Sequence, residues 1–147
     1  MRVALYQPEI PQNTGTIMRL CACMGVGLDI IEPCGFVFSD RRMRRAGMDY
    51  IDQVDWQKHS SWEDFKVSIG PKRLVLLTPY TDVVYTDFKF SEDDILLLGK
   101  ESSGVPDEIL NSDLEKVVIP MKPGFRSINM AIAGAMVLGE ALRQQRK

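Results

Sequence analysis

Unbroken apolar runs of three or four residues most limit how this chain can fold. Leu74-Val75-Leu76-Leu77, Ile95-Leu96-Leu97-Leu98 and Val117-Val118-Ile119 carry no polar residue. A strand with one wet face alternates polar and apolar residues, so these runs read as strands buried on both faces. Val3 to Tyr6 and Leu28 to Ile31 read as two more strands, the second stopped by Pro33. Helix-like segments lie between them. Asn13 to Met24 places Ile17, Leu20, Cys21 and Met24 on one face, and Asp40 to Met48 reads as a short basic helix. Ser60-Ser61-Trp62-Glu63 is a capping box that opens a helix to about Ile69, and Gly70-Pro71 ends it. Ile128 to Gln145 closes the chain as a helix. Ile51 to Trp56 reads as a short strand, and Tyr80 to Ser91 as a loop with room for an edge strand. The alternation predicts an α/β fold: a mostly parallel sheet covered by helices on both faces. A length of 147 residues suits one domain over residues 1–147.

Composition narrows the function. No apolar run approaches the roughly 18 residues that span a bilayer. The opening residues lack the apolar stretch of a signal peptide, so a cytoplasmic protein that needs no membrane is expected. The net charge of -2 argues against a protein that coats nucleic acid non-specifically. One basic patch stands out, with Arg41, Arg42, Arg44 and Arg45 in five residues. It reads either as a phosphate-contacting surface or as a solvated helix face paired with Asp40 and Asp49. Cys21, Cys23 and Cys34 lack paired spacing and His59 is the single histidine, so no metal site is expected. The cysteines read as buried free thiols, and His59, in a polar stretch, as a surface residue.

Two loops draw attention because they leave buried strands. Open α/β sheets bind ligands at the carboxyl ends of their strands. Gly99-Lys100-Glu101-Ser102-Ser103-Gly104-Val105-Pro106 follows one apolar run, with Glu101 inside it. It lacks the Gly-Lys-Ser/Thr ending of a Walker loop and the third glycine of a dinucleotide fingerprint. Ile119-Pro120-Met121-Lys122-Pro123-Gly124-Phe125-Arg126-Ser127-Ile128-Asn129 follows another and leads into the last helix, with Ser127 placed to cap it and Asn129 read as a turn residue. Two such loops facing each other would enclose a small ligand. Near the N-terminus, Asn13 reads as a helix N-cap. Arg19, six residues on, reads as a surface ion pair or as a phosphate or carboxylate ligand. The last helix has almost no polar face from Met130 to Gly139. It is expected to be buried all round, either in a dimer interface or at the centre of the monomer.

Together these segments resemble the SPOUT superfamily of RNA methyltransferases. Asn13-Thr14-Gly15 with Arg19 resembles its first motif, Leu98 to Pro106 its second, and Ile119-Pro120-Met121 with Ser127-Ile128-Asn129 its third. Within the superfamily the chain is similar to the small tRNA (cytidine/uridine) 2′-O-methyltransferases of the wobble nucleotide. Tyr6 to Gly15, Ile30 to Phe36 and Arg44 to Tyr50 carry that likeness. Ala131, Ile132 and the Gly124-Phe125 pair depart from the pattern.

The resemblance implies S-adenosylmethionine as methyl donor, held in the loops of a C-terminal trefoil knot. It implies a homodimer whose active site uses both subunits, tRNA gripped at its anticodon stem-loop, and no separate RNA-binding domain. Cofactor contacts are expected from Leu77, Thr78, Gly99, Ile119, Met121, Ser127 and Ile128. Arg19 is expected to act on the ribose 2′-hydroxyl as base, or to steady the forming alkoxide or the neighbouring phosphate. Glu101 is the alternative proton acceptor, or orients Arg19. Asn13, Ser127 and Asn129 are expected to position polar groups, and Arg41, Arg42, Arg44 and Arg45 to meet tRNA phosphates. Three other readings stay open: a 2′-O-methyltransferase of ribosomal RNA, a nucleotide-binding module without catalysis, and an S-adenosylmethionine-binding protein that has lost transfer, suggested by the departures at the last helix.

Overall fold

The computed structural model describes residues 1–37, 39–45 and 50–146. Among the described residues six strands form one sheet: β1 (Arg2–Tyr6), β2 (Gly27–Ile31), β3 (Trp56–His59), β4 (Leu74–Leu77), β5 (Ile95–Leu98) and β6 (Glu115–Val117). The helices are α1 (Pro11–Met24), α2 (Asp40–Arg45), α3 (Trp62–Ile69), α4 (Asp107–Leu110) and α5 (Met130–Gln145). The order across the sheet is β3-β2-β1-β5-β4-β6, and every neighbouring pair is parallel. The order reverses between β1 and β5, which puts the carboxyl ends of both at a crevice.

Side chains on successive residues of a strand point to opposite faces, and here both faces are dry. Val3, Leu5, Leu28, Ile30, Leu96 and Leu98 join one core, with Ile17, Met18 and Cys21 of α1 and Val137 and Leu138 of α5. Ala4, Tyr6, Ile31, Leu76, Ile95 and Leu97 join the other, with Phe65 and Ile69 of α3 and Ile109 of α4. That double burial is why the apolar runs do not alternate. Gly134 lets α5 lie close: a Cβ there would meet Leu98 Cδ1 at 2.7 Å and Ile17 Cδ1 at 3.1 Å.

Several boundaries differ from the sequence reading. Helix α1 begins at Pro11, so Asn13 lies in its first turn and is not its cap. Its buried face is Thr14, Ile17, Met18 and Cys21, and Met24 is exposed. The expected strand over Ile51–Trp56 is replaced by a turn, with Gln53 N–H donating to Tyr50 O, and by β3 further on. Among the described residues β3 pairs with β2 alone, and as the edge strand it tolerates the exposed polar residues Gln57 and Lys58. In α3 the cap is Ser61, whose Oγ accepts from Asp64 N–H at 3.0 Å, while the Ser60 hydroxyl bonds the Asp64 carboxylate. β6 is earlier than Val117–Ile119 because Val118 leaves β4 to bond the 79–93 loop, exchanging with Val83 O and Tyr85 N. The same loop carries an isolated bridge, Val84 to Val118, in place of an edge strand. α5 starts at Met130 rather than Ile128. The expected extension of α2 to Met48 and the pairing with Asp49 lie outside the described residues.

His59 corrects the surface reading. It is buried, and its Nε2 lies 2.8 Å from Asp29 Oδ1. Asp29 is 2% exposed and receives Arg2 Nε at 2.7 Å on its other oxygen. Gly27 permits this, since a Cβ there would strike the Arg2 guanidinium. A single carboxylate in the middle of a buried strand therefore joins β1, β2 and β3. Asp29→Ala leaves the buried His59 ring without its partner, whereas Arg2 keeps Asp55 at 2.6 Å, so the expected cost is that of an unsatisfied buried polar group, about 1–3 kcal/mol. Chemical denaturation should show that loss as a lower midpoint with an unchanged slope.

Of the three thiols only Cys21 is buried, where desolvation pushes it up to about 12. Cys34 is half-buried and is also pushed up to about 12 by burial, and Cys23 is exposed. The expectation of three buried thiols therefore holds for one. Among the described residues no helix is long and apolar enough to cross a membrane.

Candidate active site

The carboxyl ends of β4 and β5 open into a cavity of about 530 Å³. Its floor is the apolar ends of the strands, including Leu76, Leu77 and Leu98. Two loops form its walls: residues 99–105, and residues 118–130 leading from β6 into α5. All seven residues predicted to contact the cofactor line it: Leu77, Thr78, Gly99, Ile119, Met121, Ser127 and Ile128. Asn13, Glu101 and Asn129 line it too. Arg19 and the four arginines of α2 are not among its lining residues.

The first loop is a tight return. Lys100 and Gly104 exchange both backbone hydrogen bonds, at 3.0 and 2.9 Å. A Cβ on Gly99 would sit 2.6 Å from Gly104 Cα, and Gly104 has φ of 67°. Both glycines are thus required by the closeness of the two arms and the left-handed turn.

A polar chain links the three segments that the sequence singled out. Glu101 accepts from Glu9 N–H at 2.8 Å and from Ile10 N–H at 3.1 Å, just before α1. Asn13 Nδ2 donates to the same carboxylate at 3.4 Å. Asn129 Nδ2 donates to Asn13 Oδ1 at 3.0 Å. Asn129 Oδ1 accepts from Ala131 N–H at 2.9 Å and Ile132 N–H at 3.2 Å. The direction is fixed by chemistry. An ionised carboxylate only accepts, so Asn13 turns its NH₂ toward Glu101 and its oxygen toward Asn129. Asn129 then has its oxygen free for the orphan donors of α5. Asn129 is therefore the cap of α5, and Ser127 is not.

Glu9 returns the contact of Glu101. Its carboxylate accepts from Ser102 Oγ at 2.6 Å and Ser102 N–H at 3.0 Å. These bonds hold the Glu9 carboxyl below the usual carboxylate range. A depressed value stabilises the fold at neutral pH and loses that contribution as pH falls through it. Glu9 lies in the Tyr6–Gly15 likeness, and Lys100 and Arg126 in the two ligand loops, but the sequence singles out none of them for a role. Tyr80 lies in a segment that reads only as a loop, and Tyr80, Lys100 and Arg126 line the cavity.

Within the single chain, among the described residues, no hydrogen bond or ion pair joins Glu101 to Arg19, and the Glu101 carboxylate is engaged at the start of α1. Arg19 lies exposed on α1 with its guanidinium 5.0 Å from the centre of the Tyr50 ring. Arg41, Arg42, Arg44 and Arg45 are exposed on α2, and Arg44 pairs with Asp52 at 3.0 Å, a partner the sequence reading did not name.

The cavity suits S-adenosylmethionine. Its volume falls within the roughly 300–1,000 Å³ of small-ligand sites. Leucine and isoleucine side chains offer an apolar slot for a flat base, and Thr78, Ser127 and loop backbone offer polar partners at its edges.

Comparison with known proteins agrees with this geometry. The model of the SpoU rRNA Methylase family matches residues 1–139. A protein of Beijerinckia indica subsp. indica named tRNA (cytidine(34)-2'-O)-methyltransferase is 57% identical over 145 residues, covering 97% of this chain and 90% of its own. A solved structure described as "Structural insights into the 2-OH methylation of C/U34 on tRNA" superposes with a TM-score of 0.92 at 37% identity, covering 98% of this chain and 95% of that one. An AdoMet-bound rRNA methyltransferase from Sinorhizobium meliloti superposes with a TM-score of 0.86 at 27% identity, covering 99% of this chain and 57% of that one.

Proposed function

The chain belongs to the SpoU rRNA Methylase family, and from that membership we propose that it methylates the ribose 2′-oxygen of nucleotide 34 of tRNA, with S-adenosylmethionine as donor. The observation that carries this reading is one cavity bordered by all three motif segments, with Asn13, Glu101 and Asn129 bonded across it. When bound, S-adenosylmethionine supplies an electrophilic methyl group.

The residues divide the remaining work. Leu77, Ile119 and Ile128 hold the adenine by apolar contact, and Thr78, Met121, Ser127 and the Gly99 backbone fix the donor's orientation. Asn13, Asn129 and Glu101 are positioning residues: they lock both loops to α1, so the reacting atoms are held in line. Alignment of this kind supplies several kcal/mol of a barrier. Arg19 meets the 2′-hydroxyl, steadying the charge that develops as the proton leaves or holding the adjoining phosphate.

Arg19 does not line the cavity of its own chain, and that supports a homodimer in which each Arg19 serves its partner's cavity. Ile132 and Met136, exposed on α5 beside a buried face, support burial there by a second copy. The expected all-round burial of α5 is half met within the single chain. The bonds that join Gln144 to Phe88 O and Phe90 N–H, where α5 meets the 78–94 loop, support the C-terminal knot. The chain acts as one domain in the cytoplasm and grips the tRNA anticodon stem-loop with the dimer surface.

Transfer of labelled methyl from S-adenosylmethionine to unmodified tRNA, with mapping of the product, tests the reading. Label on the 2′-oxygen of nucleotide 34 is expected. Label elsewhere, or none with donor binding intact, overturns it. The α2 arginines give a separate expectation. Replacing Arg42 and Arg45 by alanine should weaken tRNA binding and reduce the salt slope by about one for each phosphate left unneutralised. Binding measured across a salt series checks this, and an unchanged slope would mean that α2 is only a solvated face.

A further inference from the structure

One segment of the loop from β6 to α5, beside the cavity lining, is unexplained by donor binding. Lys122-Pro123-Gly124-Phe125 forms a turn closed by Phe125 N–H donating to Lys122 O at 3.4 Å. Gly124 has φ of 94°. Proline at the second position and a positive-φ glycine at the third are the signature of a type II turn. The turn stands between Met121 and Arg126, both of which line the cavity, and it leaves Phe125 73% exposed. A phenylalanine held in water on a rigid turn gains nothing for the fold. Cations flank it in sequence, Lys122 and Arg126, both exposed. A second exposed aromatic, Tyr80, stands on the cavity lining at 74%.

Exposed aromatic faces interleaved with cations suit single-stranded nucleic acid, whose unstacked bases lie flat on rings while its phosphates meet the charges. They suit a protein partner less well, because the cations beside the ring would have to be desolvated. Resting on the RNA-methylating reading above, we propose that Phe125 is a stacking platform for an unpaired base of the RNA substrate at the cavity mouth, with Arg126 meeting the neighbouring phosphate. The turn pre-sets the ring, so little conformational freedom is lost on binding.

Substitution and fluorescence together test this, with unmodified tRNA as the probe. Phe125→Ala should raise the KM for tRNA by about 10-fold, the scale of a single base–aromatic stack. Phe125→Tyr should stay near the parent. Phe125→Leu, apolar but not flat, should behave like alanine. The affinity for S-adenosylmethionine should be the same in all. Phe125→Trp adds a reporter whose emission, after subtraction of the parent's two tryptophans, should be quenched by tRNA and not by S-adenosylmethionine.

A leucine variant equal to the parent, an unchanged KM in the alanine variant, or no quenching would overturn the proposal. So would a change in sedimentation of Phe125→Ala, which would assign the ring to contact with a second copy. If the parent chain transfers no methyl to tRNA, the functional reading fails while quenching still decides the platform.

Discussion

Replacing Arg19 by alanine is expected to lower methyl transfer by about 10²- to 10⁴-fold, the usual weight of a group acting on a proton in flight. The affinity for S-adenosylmethionine should not change, because Arg19 is assigned to the ribose hydroxyl or the adjoining phosphate and not to the donor. Stability should change little, since the side chain is exposed and its ring contact with Tyr50 is on the surface. Such contacts are worth roughly 0.5–1 kcal/mol at exposed sites. Single-turnover transfer and calorimetric donor binding, run side by side, separate these effects. Arg19→Lys distinguishes two roles. A lysine keeps the charge but loses the planar fork, so a large defect in it would mean that directed hydrogen bonds matter more than charge. Retention of transfer in Arg19→Ala would remove this residue from the chemistry altogether.

The second large effect concerns Asn129. Asn129→Ala removes the acceptor for two α5 donors and the donor to Asn13 in one step. Loss of a helix cap costs about 1 kcal/mol and up to about 2. The larger consequence is for the cavity, since Ser127 and Ile128 sit immediately before the released cap. Donor affinity and transfer should both fall by more than tenfold. Asn129→Asp separates the two functions. Its carboxylate still caps α5, and an anion there is favoured by the helix dipole. It has no hydrogen to give Asn13 Oδ1, so the cap survives while the link to α1 is broken. A thermal midpoint near that of the parent together with impaired transfer would show that the link, not the cap, serves catalysis.

Local signals in the sequence carried the strands and the two ligand loops. Apolar runs, glycines and prolines act through neighbours in the chain, so β4, β5 and the 99–106 loop were readable from them alone. Partnerships across the fold were not. His59 reads as polar surface until Asp29, thirty positions away, is seen beneath it. Asn13 reads as a cap because asparagine before an apolar stretch usually is one. Its neighbour in space, Glu101, lies 88 positions on and gives that side chain a different task. Ser127 and Asn129 are both suitable caps by type, and only the direction imposed by the Glu101 carboxylate selects Asn129. The edges of the sheet were misplaced for a similar reason. Trp56–His59 and Glu115–Val117 are polar enough to look like loops, and pairing with a buried neighbour makes them strands. All seven residues that the motif resemblance marks for donor contact line the cavity, because the motif segments are the loops that leave the carboxyl ends of β4, β5 and β6.

The crossed carboxylates at the start of α1 bear on how the protein comes into being. Glu9 and Glu101 close a loop of more than ninety residues, and the bond from Asn129 to Asn13 closes one of 116. A chain still leaving the ribosome possesses the sheet's first strands long before it possesses any part of this closure. The methyl donor therefore has nothing to hold until α5 has arrived. A chain that lacks α5 also lacks the Asn129 end of this closure and the wall that Ser127, Ile128 and Asn129 give the cavity, so the pocket is completed last in synthesis although its floor is made early.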